Sequence, residues 1–131
     1  MKLFRLVWQT GLSLAPVAAV LLAGVIAILS LMPGGHSGGF EYSDKLNHFI
    51  AYATLAAVCV AATKGRWLFL IAIGLVVYGL ALEAGQMVMP FSRDSSWLDA
   101  LANAAGTALG VMLGRVGLVA GNWVDQSFAG D

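Results

Sequence analysis

The sequence predicts an all-α protein, a four-helix transmembrane bundle formed by a single domain over residues 1–131. Three observations carry this expectation. Hydrophobic residues make up 60% of the chain and charged residues 11%, against about a quarter charged in soluble domains. Four apolar runs of membrane-spanning length follow one another, and the breaks between them are short and built from Gly, Pro and charged residues. Seven basic residues balance seven acidic ones, so the chain lacks the broad positive surface that nucleic acid requires, and no nucleic-acid partner is expected.

The first run, 12–32, carries no charge and is closed by Pro33-Gly34-Gly35. A helix rises 1.5 Å per residue and needs about 20 residues to cross the hydrocarbon, so this run can span. Lys2 and Arg5 ahead of it resemble the start of a signal peptide, but the apolar core of such a peptide is about 7 to 15 residues long; a retained helix is expected. The Gly-rich stretch 33–43, with His36 and Glu41, reads as a loop. The second run, 46–63, ends at Lys64-Gly65-Arg66, and the third, 67–89, ends at Pro90, which cannot continue a helix. A fourth follows at 97–119. Cys59 lies within the second run and reads as an inert buried thiol.

Orientation follows from the Lys and Arg residues in the short connections. Lys2, Arg5, Lys64, Arg66 and Arg115 fall on one side and Lys45 and Arg93 on the other. The more positive side is normally cytoplasmic, so both termini are expected there. Trp67 and Trp97 stand where interfacial anchors belong.

This topology carries almost every polar group to the opposite face. Lys45, His48 and Tyr52 share one helical stripe, as do Glu83 with Gln86 and Asp99 with Asn103, by their i+3 and i+4 spacings. Glu83 lies about 24 Å along its helix from Trp67, and Asn103 about 9 Å inward from Trp97, so the levels coincide within a turn across a core of about 30 Å. An ionisable group facing lipid at mid-span costs roughly 2.5 to 3.5 kcal/mol, so the stripes should face inward as one cluster. Its expected ligand-binding members are Lys45, His48, Glu83, Gln86, Arg93, Asp99 and Asn103. The second and fourth helices begin there, and their positive N-terminal ends, with Lys45 and Arg93, favour an anion. Glu83 should be paired with Lys45 or Arg93. Asp44 reads as a helix cap and Ser96-x-x-Asp99 as a capping box. His36 sits in the Gly-rich stretch and no HExxH spacing occurs, so neither a metal nor a cofactor is expected.

Gly106, Gly110 and Gly114 form a GxxxGxxxG stripe that lets another helix approach closely, either within the chain or in a homo- or hetero-oligomer. Asn103 lies one turn from Gly106, so this seam leads up to the polar cluster.

Taken in order, Ser43-Asp44-Lys45-Leu46-Asn47-His48-Phe49, Glu83-x-x-Gln86, Pro90-x-x-Arg93 and Ser96-x-x-Asp99-x-x-x-Asn103-x-x-Gly106 resemble the VanZ-like family of small bacterial membrane proteins, over about residues 20–115. The resemblance implies a multi-pass domain of four or five helices in the bacterial cytoplasmic (inner) membrane. It also implies a link to glycopeptide tolerance, the founding member being associated with teicoplanin resistance. The family's motif positions fall on Asp44, Lys45, His48, Glu83, Gln86, Arg93, Asp99 and Asn103. Three functions compete. The cluster binds an anionic or amphiphilic envelope ligand, a membrane lipid head group or lipid-linked cell-wall precursor. It is a polar plug that holds the helices in register for association with envelope proteins. Or it is an enzyme on a membrane lipid, with His48 or Glu83 as catalytic base, although Ser92, Ser95 and Ser96 lack a G-x-S-x-G setting.

Overall fold

A computed structural model describes residues 2–32, 41–88 and 97–127, with side chains placed from Asp44 onward in the second of these segments. The described residues form four helices and no strand: α1 (Lys2–Leu31), α2 (Glu41–Ala62), α3 (Leu68–Val88) and α4 (Trp97–Ser127). Each is long and apolar enough to cross a membrane. Only 11% of the most apolar window of α1 and of α3 is buried, and 22% of that of α2 and α4. Val20, Phe69, Val77, Met87, Met112 and Val116 all point outwards. A surface this apolar is costly in water and natural in lipid, so the fold is compatible with a multi-pass membrane protein.

The helices alternate in direction. Asn103 on α4 meets His48 on α2, and Gly106, Gly110 and Gly114 meet Phe49, Ala53 and Ala57 in equal steps along both helices, so α2 and α4 run parallel. Tyr78 on α3 donates a hydrogen bond to the Ala23 carbonyl on α1, and Gln86 donates to Ser30, so α1 and α3 run parallel to each other and opposite to the first pair. The glycine stripe explains why α2 and α4 form the central pair. A Cβ on Gly106 would collide with the Phe49 carbonyl, one on Gly110 with that of Ala53, and one on Gly114 would lie 2.9 Å from the Ala57 Cα. Only glycine permits this approach. The seam is filled by α2 of the same chain, and α1 lies against α2 and α3 against α4.

Three helices are longer than the apolar runs that announced them, α2 by starting at Glu41, within the stretch 33–43 read as a loop, and α1 and α4 by more. The runs 12–32 and 97–119 correspond to α1 from Lys2 and α4 to Ser127, because a helix does not end where its hydrophobicity does. The added turns are held to each other. Arg5 makes an ion pair with Asp125 (2.9 Å) and donates to its carbonyl, Gln9 donates to the same carboxylate, and the Trp8 indole N–H donates to Asn122. The start of α1 and the end of α4 therefore share one end of the molecule.

The α2–α3 turn lies at that end too. Gly65 N–H bonds the Val60 carbonyl (2.8 Å) and Lys64 N–H that of Ala61 (3.0 Å), the paired bonds of a Schellman ending. Lys64 (φ 53°) occupies the left-handed position usually given to glycine, and Gly65 (φ 73°) follows it. The Arg115 guanidinium packs beside Gly65.

Candidate functional site

At the other end the sequence places polar residues where the helices converge. Glu83, Gln86, Asp99 and Asn103 are each at most 6% exposed, and Thr107 is buried one turn beyond Asn103. The parallel seam determines this arrangement. With the α2 and α4 backbones in contact at Phe49 and Gly106, the side chains just N-terminal to that contact are brought together, and His48 Nδ1 lies 3.1 Å from Asn103 Oδ1. Since Oδ1 only accepts, Nδ1 is the donor in this pairing, and in the neutral form of that tautomer Nε2 keeps its lone pair.

The third wall is α3. Gly79 lets it pass close over the pair: a Cβ there would stand 3.2 Å from both Asn103 Nδ2 and the Tyr52 hydroxyl. Glu83 and Gln86 follow one and two turns further on, and both are buried. Gln86 Nε2 donates to the Ser30 carbonyl (2.8 Å), tying α3 to the last turn of α1. Asp99, His48 and Asp44 are close enough to act electrostatically on Glu83. Tyr52 stacks at a tilt against Tyr78, with ring centroids 6.1 Å apart.

Not every polar atom in this nest is satisfied. Glu83 Oε2, Asp99 Oδ1, Tyr52 Oη and Thr107 Oγ1 have no hydrogen-bond partner among the described residues. A buried polar atom left unpaired costs about 1–3 kcal/mol, more if charged, so these four carry hydrogen-bonding capacity that the described residues do not use. Beside Tyr52, between α1 and α2, lies a cavity of about 330 Å³. Ile26, Leu29 and Ala51 make its apolar wall, and Ser30, Asp44, Asn47, His48 and Tyr52 its polar one.

His48, Glu83, Gln86, Asp99 and Asn103 thus come together. Lys45 is partly buried on α2 and engaged in an interaction of its own. The expected ion pair between Lys45 and Glu83 is not formed among the described residues. Adjacent positions on a helix point about 100° apart, so Lys45 leaves the line of Asp44 and His48. Asp44, expected as a cap, lies within α2, which begins at Glu41, and its carboxylate turns to the cavity instead. Arg93 and Ser96 lie outside the described residues, as does His36. Thr107, one turn past Asn103 on the same stripe, escaped the sequence reading, although the i, i+4 series Asp99, Asn103, Thr107 contained the signal. The Ser30 carbonyl carried no such signal.

Comparison with protein-family models, curated proteins and solved structures gives no match. Function is therefore argued from the geometry of this site.

Proposed function

We propose that the chain is a multi-pass protein of a bacterial cytoplasmic membrane whose polar cavity receives the head group of an amphiphilic envelope molecule, a phospholipid or a lipid-linked wall precursor. The observation that supports this most is the two-sided lining of the cavity. Ile26, Leu29 and Ala51 suit an acyl or prenyl chain, and Asp44, Asn47 and His48 suit a hydrogen-bonding head group. The charge distribution supports an outward-facing site. Lys2, Arg5, Lys64, Arg66 and Arg115 gather at the end opposite the cavity, which supports a cytoplasmic location for that end and for both termini. The ordered motifs that resemble the VanZ-like family pass through the same residues, and on that resemblance the ligand belongs to the cell envelope.

The N-terminal ends of α2 and α4 favour a phosphate, and Lys45 and Arg93, which the sequence assigns to the same end, would add to that preference. Asp44, Glu83 and Asp99 favour groups that donate hydrogen bonds or carry positive charge. A head group with phosphate and hydroxyl or amine functions satisfies both sets.

Native mass spectrometry of gently extracted protein tests this reading. Ala51→Trp would fill the cavity from its apolar side without altering a polar group, and it should abolish a retained lipid adduct, while Arg93→Ala and Lys45→Ala reduce it. Absence of a retained amphiphile from the wild type, or an adduct indifferent to all three changes, would refute it.

A second reading is supported by the bonds His48–Asn103 and Gln86–Ser30, which join α2 to α4 and α3 to α1: the cluster is a polar plug that fixes helix register. In that case Asn103→Ala and Gln86→Leu lose function only in proportion to lost stability.

A further inference from the structure

We propose that Asp44, His48 and Asp99 form a binding site for a divalent transition cation of the Zn²⁺ or Mn²⁺ class. Asp44 and His48 are i, i+4 on α2, so both face the same way, and Asp99 reaches them from the first turn of α4. One ligand atom from each of the three lies within 4.8 Å of the others. A triangle of that side has its centre about 2.8 Å from each corner, so each atom needs to move less than about 1 Å to reach a metal–ligand bond of 2.0–2.2 Å.

Independent observations point to an occupant. Asp99 is 5% exposed and Glu83 6% exposed, and each has a carboxylate oxygen without a hydrogen-bond partner among the described residues. Glu83 and Asp99 are buried carboxylates, and a doubly charged cation beside them would offset their mutual repulsion. The contact of His48 Nδ1 with Asn103 Oδ1 orients the ring, and in the neutral tautomer that donates through Nδ1 the other nitrogen, Nε2, is the one that would bind a metal, the usual arrangement for a ligating histidine. Asp44 and His48 also line the cavity, which gives an ion a path in and leaves coordination positions open. The glycine seam fixes α2 against α4, so the donors from the two helices are held at constant separation.

One imidazole with carboxylates suits Zn²⁺ or Mn²⁺ better than a thiolate-seeking ion. An ion held there would also give the cavity the positive charge that an anionic head group needs. That last step rests on the proposed ligand class; cation binding does not.

The test uses the full-length chain in detergent micelles without added lipid, stripped with a chelator and then dialysed against ZnCl₂. One Zn²⁺ should be retained per chain by elemental mass spectrometry, and the thermal midpoint of the wild type should rise with Zn²⁺ concentration. His48→Ala and Asp99→Asn should weaken binding by about 10-fold or more, and His36→Ala should leave it unchanged. If the site variants fail to fold, the wild-type midpoint still decides, because a site that binds only the folded chain must raise it. The proposal is overturned by a wild type that retains no stoichiometric Zn²⁺, by a midpoint indifferent to Zn²⁺, or by folded His48→Ala and Asp99→Asn variants with wild-type affinity. Lipid retention is read separately, so zinc binding without a lipid adduct would refute the ligand class and keep the metal site.

Discussion

Replacing Gly110 by Ala tests the seam on which the site depends. The added Cβ would collide with the Ala53 carbonyl oxygen and lie 2.8 Å from both the Ala53 carbonyl carbon and the Ala56 Cβ, where ordinary contacts begin at 3.4 Å. These are backbone atoms and a methyl with no rotamer to change, so α2 must move away from α4 by roughly half an ångström or more. Overpacking of this kind costs about 1–3 kcal/mol. The displacement also opens the neighbouring contacts at Gly106 and Gly114, so the cost should approach the top of that range, ~3 kcal/mol. Gly117, two turns along the same helix, has nothing within 4 Å of its added Cβ. Alanine there gains about 0.5–1 kcal/mol from lower chain entropy. Unfolding in mixed micelles by titration with sodium dodecyl sulfate, followed by tryptophan fluorescence, should therefore separate the two variants by about 3–4 kcal/mol, with wild type between them. Equal stability of Gly110→Ala and Gly117→Ala would refute the close approach of α2 and α4.

The α2–α3 turn gives a pair of opposite signs: Lys64→Gly should stabilise by about 0.5–1 kcal/mol in the same titration by relieving a left-handed non-glycine residue. Gly65→Ala should destabilise, because φ is 73° and its Cβ would lie 2.7 Å from Arg115 Nη1 and 3.0 Å from Leu118 Cδ2. In the Arg5–Asp125 pair the Arg5 side chain is exposed and that of Asp125 half-buried, 46% and 19% accessible, so Arg5→Ala should cost no more than about 1 kcal/mol, diminishing in high salt, and Asp125→Ala, which also loses the bond from Gln9, should cost more. Gln86→Leu removes the bond to Ser30 and should lower stability by about 1 kcal/mol, whereas Gln86→Glu should cost more by adding a fourth carboxylate to the cluster.

Four helices were legible because their interruptions are chemical: Lys64-Gly65-Arg66 and Pro90 stop a helix whatever surrounds it. The far ends of α1 and α4 were not legible, since a membrane-thickness criterion stops at the hydrocarbon. The turns beyond are held by Arg5, Trp8, Asn122 and Asp125, contacts between residues more than 110 positions apart. The stripe of Gly106, Gly110 and Gly114 announced a close helix neighbour but not its identity, because Ala53 and Ala57 are unremarkable until α2 is aligned with it. His48, Glu83, Gln86, Asp99 and Asn103 were found because polar residues within apolar runs have few places to go. Asp44 was read as a cap because helix starts are poorly marked by sequence, and with α2 beginning at Glu41 its carboxylate joins His48 instead. Which polar atoms stay unpaired depends on ångström-scale packing, which no spacing rule supplies.

The proposed orientation puts a solvent-accessible pocket on the outer face of a membrane-spanning bundle. Its most direct test is cysteine accessibility in a Cys59→Ala background, using an impermeant maleimide on intact cells. With Asn47→Cys in the polar wall, labelling should proceed from outside, and with Lys64→Cys only after the membrane is permeabilised. Labelling of Lys64→Cys from outside, or protection of Asn47→Cys on both sides, would contradict it.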